Sequence, residues 1–311
     1  MGLRSAPEGR GKRDGEVRKV SALLPTSAAG WVKGVAHWHD DDTAFISVAF
    51  TWRLEEARRL AQEYRALGLQ VRVGGPGVFT RKTLLSDIAE IGGEIPDAIV
   101  RHHPNATRAS YGCPVGCWFC IVPKMDGKAF RLLPDFPVRP ILCDDNLSAL
   151  PADFQDHIVA RYRLAGVPLL DANSGFEPGT FDRDVFERWR PILKGPWRFA
   201  FDEMSEGENV RRAFRVLKDV SARRKQVYTM IGHEPFAVCM DRIRQVIAAG
   251  GEPYAQPFIK LNALKKEPAL RHDWTPQLLR QVQRWTNRHL WRKTAFEDYD
   301  ANARTNPRGR P

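Results

Sequence analysis

From residue 140 onward the sequence repeats one unit, a short apolar strand, a polar turn, and a helix with apolar residues three and four apart. Residues 140 to 143 lead through Asp144, Asp145 and Asn146 to a helix over 153 to 164, and residues 168 to 171 lead to a helix over 183 to 193. Residues 197 to 201 end at Asp202 and Glu203 before a helix from 207 to 223. Residues 226 to 231 end at Gly232, His233 and Glu234 before a helix from 236 to 249. A last strand over 252 to 259 precedes an amphipathic helix over 276 to 292. With a strand at 107 to 111 the count is six βα units. Strands joined through helices pair in parallel, with right-handed crossovers. Six such units predict an α/β fold built as a curved, partly open barrel.

The polar residues are not scattered over this pattern. Asp144, Asp145, Asn146, Asp171, Asn173, Asp202, Glu203, His233 and Glu234 all fall at or just past the carboxyl ends of predicted strands. That rim is where α/β barrels assemble their sites. Each carboxylate taken alone suits a helix N-cap equally well, and His233 suits a base, a hydrogen donor or a capped turn.

Three of the five cysteines lie within eight residues, Cys113-Pro-Val-Gly-Cys117-Trp-Phe-Cys120. Three thiolates on one short loop can ligate three irons of a cubane and leave the fourth without a protein ligand. Gly112 and Gly116 let the backbone curl and turn N–H groups toward sulfur. Trp118 and Phe119 can keep water off a cluster and offer a face to an adenine ring. The competing use is a structural zinc site, which needs a fourth ligand from His102, His103 or Cys143, none in a standard spacing. Cys143 and Cys239 sit on apolar elements and read as buried small hydrophobes. His102 and His103 are adjacent and read as structural.

The motif resembles the radical S-adenosylmethionine (SAM) superfamily signature, with Phe119 in its aromatic position, and the likeness runs over residues 106 to 262. The resemblance implies a partial (βα)6 barrel with a [4Fe-4S] cluster on Cys113, Cys117 and Cys120. It also implies SAM on the open iron, cleaved to methionine and a 5′-deoxyadenosyl radical, with an electron from a flavodoxin or ferredoxin. By position, Asp144, Asp145 and Asn146 stand where the family binds the SAM amino group, Asp202 and Glu203 become ribose or substrate contacts, and the turn at His233 and Glu234 follows the fifth strand.

Upstream, residues 44 to 50 read as a strand, 53 to 67 as a helix and 69 to 73 as a second strand ending in Gly74-Gly-Pro-Gly77. That glycine run lacks the Lys-Ser/Thr of a phosphate loop and reads as a turn. The unit is similar to a fragment of the cobalamin-binding-like domain that precedes some radical SAM barrels. It has no Asp-x-His-x-x-Gly run, and two strands are too few for a full cofactor domain, so cobalamin is not expected and the fragment reads as a vestigial scaffold. The chain divides into a basic tail over 1 to 30, a small α/β unit over 31 to 105, a core barrel over 106 to 265, and a C-terminal helix with a basic tail over 266 to 311.

Among the 311 residues Lys and Arg outnumber Asp and Glu by 48 to 37, a formal charge of +11. Such a surplus suits a phosphate-bearing partner, a nucleotide or nucleic acid, and suits plain solubility as well. The C-terminal helix carries Arg280, Arg284, Arg288 and Arg292 beside a stripe of Leu278, Val282, Trp285 and Leu290, which is either a nucleic-acid face or a solvated one. No apolar run approaches the roughly 20 residues of a membrane span, and no secretory segment opens the chain. A soluble, cytoplasmic enzyme is expected, with a zinc-containing nucleic-acid-binding protein as the alternative.

Overall fold

The computed structural model describes residues 30–92 and 95–299. The tail expected over 1 to 30 lies, but for Gly30, outside them, as does the end of the expected 266 to 311 segment from residue 300 on.

The described residues begin with β1 (Val35–Asp40) and β2 (Thr43–Val48), followed by α1 (Leu54–Ala66), β3 (Gln70–Gly74), α2 (Pro76–Phe79), β4 (Glu90–Ile91) and α3 (Ala98–His102). These strands form one sheet in the order β1-β2-β3-β4, parallel from β2 to β4. Four strands stand where the sequence shows two. β1 pairs antiparallel with β2 through a tight turn in which Asp41 has φ 46°. Its residues, Val-Ala-His-Trp-His-Asp, carry too little apolar alternation to announce a strand, while β4 is two residues long. Gly74 ends β3, Gly75 caps α2, and Pro76 stands in the first turn of that helix. A Cβ on Gly75 would lie 2.6 Å from the Val48 carbonyl, so the glycines here serve close backbone packing.

Then come β5 (Ala106–Thr107), β6 (Ser110–Tyr111), α4 (Val122–Met125), β7 (Arg131–Leu132), β8 (Ile141–Leu142), α5 (Ala152–Ala165), β9 (Asp171–Ala172) and α6 (Arg183–Trp189). The chain continues through β10 (Trp197–Ala200), α7 (Gly207–Val216), β11 (Lys225–Ile231), α8 (Phe236–Ala248), β12 (Glu252–Pro257) and α9 (Pro276–Asn287). Two parallel ladders, β5-β8-β9 and β10-β11-β12, make up the six-strand array. A parallel bridge between Leu169 and Leu193 and the bond from Phe176 N–H to the Arg198 carbonyl join them. The sheet does not close into a ring. Asn287 of α9 occupies the free edge of β12, accepting from the Ala255 N–H at 2.7 Å and donating to the Ala255 carbonyl at 3.1 Å.

The single strand expected at 107 to 111 is instead β5 plus β6, and β6 pairs antiparallel with β7. This ribbon, the cysteine loop between its strands and the four-residue α4 replace a long first helix. α6 stops before Pro191, which has no N–H to continue the ladder. α7 ends at Val216 rather than 223. α9 ends at Asn287, and His289 at φ 54° breaks it from a short 3-10 turn, Leu290–Arg292.

Along β11, Val227 and Ile231 pack under the helices while Gln226 and Tyr228 face the concave side. Period-two alternation thus builds the core on one face and a cleft on the other. The largest core cluster contains edge-to-face aromatic packing, in which Phe181 lies 5.5 Å from Trp197 and 5.0 Å from Phe199. Under α9 the expected Leu278, Val282, Trp285 and Leu290 all join one cluster, with Leu279 added and Leu278 and Leu290 only partly buried. Cys143 and Cys239 are buried, as their surroundings require.

Candidate iron-sulfur and SAM site

The cysteine loop projects from β6 at the carboxyl end of the half-barrel. Gly112 at φ 98° and Gly116 at φ 78° make its two sharp turns, and a Cβ on Gly112 would meet the Ala129 carbonyl at 2.3 Å. The base of the loop is held from the rim, where the Gly112 N–H donates to the Asp145 carboxylate at 2.8 Å. Arg108 bridges Asp145 and Asp126 at 3.7 and 3.8 Å, and the Tyr111 ring takes Arg108 and Arg131 at 4.4 and 4.0 Å. Asn146 donates to the Cys113 sulfur at 3.4 Å and accepts from the Ala149 N–H. At the tip, the Trp118 indole N–H reaches Glu203 at 2.8 Å.

All three cysteines are free and half-buried. Burial, reinforced by Cys120, Glu177 and Glu206, pushes the Cys117 thiol up to about 12, and burial raises Cys120 too. Without a positive centre the Cys117 and Cys120 sulfurs stay protonated, and a bound metal or cluster would reverse that. The donor set fits such a cluster.

The rim residues divide by role. Asp144 is fully buried and both its oxygens are engaged, with the Ala109 N–H at 2.8 Å and the Ser110 hydroxyl at 2.5 Å. Desolvation lifts its carboxyl to about 6. This carboxylate ties β8 to the start of β6, and Asp145 anchors the loop base. Asp202 accepts from the Met230 N–H at 2.7 Å, and burial raises it to about 7. Of the expected rim residues, Asp145 reaches the base of the cysteine loop, Asn146 a cysteine sulfur and Glu203 the loop tip.

Sequence reasoning missed two carboxylates. Glu177 and Glu206 lie near enough to Cys117 to raise its thiol, and Glu206 accepts from the Asp202 and Glu203 N–H groups at 2.7 and 3.1 Å. The signal for Glu177 was a glycine turn past β9, since Gly175 has φ 82° and no room for a Cβ beside the Arg198 carbonyl.

His233 is buried, its ring 5.9 Å from Trp118 and 5.8 Å from Phe258, and burial lowers its proton affinity. Among the described residues, the one trio of His, Cys, Asp or Glu ligand atoms within 4.8 Å of one another is His233, Glu234 and Cys239. It makes a poor metal site, because the fully buried Arg242 guanidinium pairs with Glu234 and donates to the Cys239 sulfur at 3.5 Å. His102 bonds the Ser47 hydroxyl at 3.0 Å, and His103 packs on Trp31, so both are structural. Phe119 and Trp118 line a cleft of about 350 Å³ with Phe258 and Lys260.

No protein-family model and no curated sequence matches the chain. Among solved structures it resembles TsrM from Kitasatospora setae, a radical S-adenosylmethionine methyltransferase with cobalamin and a [4Fe-4S] cluster bound. The TM-score is 0.50 at 12% identity over 70% of this chain. The fold is like that of this neighbour. The match spans 64% of the length of that neighbour, and the likeness is one of fold. The α/β half-barrel expected from the βα count is therefore present. No helix among the described residues is long and apolar enough to cross a membrane.

Proposed function

We propose that the chain is a radical SAM enzyme in which Cys113, Cys117 and Cys120 hold a [4Fe-4S] cluster. The observation that carries this reading is the placement of three free thiols on one loop at the carboxyl-end rim of a six-strand parallel half-barrel. When bound and reduced, the cluster supplies one electron to SAM, whose cleavage gives methionine and a 5′-deoxyadenosyl radical that takes hydrogen from substrate. The chain's own residues do the rest. Glu177, Glu203 and Glu206 give the rim a negative field suited to the sulfonium, ammonium and ribose hydroxyls of SAM, Asn146 steadies Cys113, and Trp118 and Phe119 keep water from the cluster. A flavodoxin or ferredoxin is the electron donor in this proposal.

Cobalamin returns to the proposal, although the sequence argued against it. The fold neighbour binds it, the N-terminal sheet has four strands rather than two, and a cleft of about 1760 Å³ opens at the ends of β2, β3 and β4 beside Phe50, Gly75 and Ile91. The chain still offers no Asp-x-His-x-x-Gly run. Anaerobic reconstitution with and without hydroxocobalamin, followed by desalting, tests retention by the corrinoid absorbance.

Zinc is the weaker reading. A structural zinc needs a fourth ligand, and of the three expected candidates His102 bonds Ser47, His103 packs on Trp31 and Cys143 is buried. The test is anaerobic reconstitution, iron and sulfide analysis, then dithionite and SAM. About four irons and sulfides per chain with 5′-deoxyadenosine formed, both lost in Cys113→Ala, is the expected result. Zinc without acid-labile sulfide overturns the proposal.

A further inference from the structure

We propose that the concave face of the half-barrel binds a nucleoside monophosphate unit, and that this unit is the part of the substrate presented to the rim. The inference rests on reading the half-barrel as a radical SAM core, and it names the substrate class of that same chamber.

The inward positions of the last three strands line the large cleft: Arg198 of β10, Gln226 and Tyr228 of β11, and Tyr254 and Gln256 of β12. The cleft's charge favours an anion, with Lys33, Lys82, Arg108, Arg131, Arg198 and Lys266 on its walls against Asp126, Asp171 and Glu252. At its floor stands Arg198, only 8% exposed. One Nη lies 2.8 Å from Asp171, while the buried Nε has no hydrogen-bond partner. A guanidinium carries five N–H donors, more than the Asp171 carboxylate can accept, so Arg198 keeps donors for an oxyanion in the cleft. A phosphate is the natural complement to that planar fork.

Beside it, Tyr228 and Tyr254 meet edge to face at 5.2 Å and 64°, and Tyr254 is 48% exposed although it stands in the middle of a strand. An aromatic face left open at the center of a cleft is a stacking platform, and bases use such platforms whatever their sequence. Gln226 and Gln256 flank it on adjacent strands, each amide offering a donor and an acceptor to the edge of a base. A small carboxylic acid would satisfy Arg198 and leave the tyrosine face and both amides unused. A nucleoside without phosphate would do the reverse.

The test is equilibrium dialysis of the full chain, anaerobic and without reductant, against the four ribonucleoside 5′-monophosphates. Parallel arms hold the matching nucleosides, inorganic phosphate, and a short single-stranded oligonucleotide. Saturable binding of at least one monophosphate, tighter than its nucleoside and than phosphate, is expected for a free nucleotide. Binding of the oligonucleotide alone assigns the same unit to a strand. In either case Tyr254→Ala, at an exposed position, weakens binding about tenfold or more. Because Arg198→Gln strips the buried Asp171 of its partner, the double variant Arg198→Gln/Asp171→Asn is run beside it and loses the preference for phosphate over nucleoside. Phosphate or nucleoside binding as well as the monophosphate, no binding in any arm, or variants that bind like the parent overturn the inference. Formation of 5′-deoxyadenosine without added substrate is measured separately, so failure here is distinct from failure of the radical SAM reading.

Discussion

The indole N–H of Trp118 donates to the Glu203 carboxylate at 2.8 Å, joining the tip of the cysteine loop to the turn that follows β10. A loop fixed at its base by Asp145 and at its tip by Glu203 holds three sulfurs in a set arrangement before any cluster arrives. Trp118→Phe keeps a ring against Phe258 but loses the bond. Trp118 is half exposed, so the cost to folding is expected to be about 1 kcal/mol or less, a shift of about 2 °C in Tm. The cluster should feel it more, with iron released to a chelator several-fold faster than from the parent. Equal release rates would sink this account of the loop.

Gly112 makes a sharper case. Its φ of 98° excludes most side chains, and a Cβ there would lie 2.3 Å from the Ala129 carbonyl. Gly127, at φ 86°, has nothing within 4 Å of the same added atom. Gly112→Ala is expected to combine left-handed strain with a backbone clash, destabilising by about 3 kcal/mol and abolishing cluster uptake, whereas Gly127→Ala costs about 1 kcal/mol and retains it. Urea titration and iron content of the two variants check both halves.

These residues also mark what was legible in the sequence. The βα count and the cysteine spacing are local patterns, and both the parallel half-barrel and the shared loop follow from them. What lies across the fold was not legible. Asp144 looked like any strand-end carboxylate, and only the approach of Ala109 and Ser110, more than 30 residues away, turns it into a structural tie. Glu177 was passed over because its nearness to Cys117 depends on how two loops converge. β1 was missed because a hairpin strand with histidines at its middle carries no apolar period, and its pairing partner supplies the stability instead.

The buried carboxyls set a pH dependence. Desolvation raises Asp144 to about 6 and Asp202 to about 7, above the unfolded value of about 4. In that interval the folded chain binds more protons than the unfolded one, so these groups favour folding at low pH and lose that contribution as pH rises through 6 and 7. For the cluster-free chain, the urea midpoint is expected to climb as pH falls from 8 to 5. Asp144→Asn still accepts from Ala109 and should flatten the lower part of that rise. A slope identical to the parent's would contradict the assignment to Asp144.

Arg242 of α8 is fully buried against the end of β11, paired with Glu234 and donating to the Met230 carbonyl at 2.8 Å. Met230 in turn donates to Asp202, so one guanidinium props two strand ends of the rim. Removing it alone, in Arg242→Met, leaves Glu234 without its partner and frees a buried carbonyl, and a loss of about 3 kcal/mol is expected. Removing both charges, in Arg242→Met with Glu234→Gln, spares the isolated carboxylate and should recover a sizeable part of that loss. A denaturation series on the two single variants and the double gives the coupling. Additive losses would mean that Arg242 acts through packing and the Met230 carbonyl rather than through the ion pair, because a carboxylate that is 31% exposed would then be solvated well enough on its own.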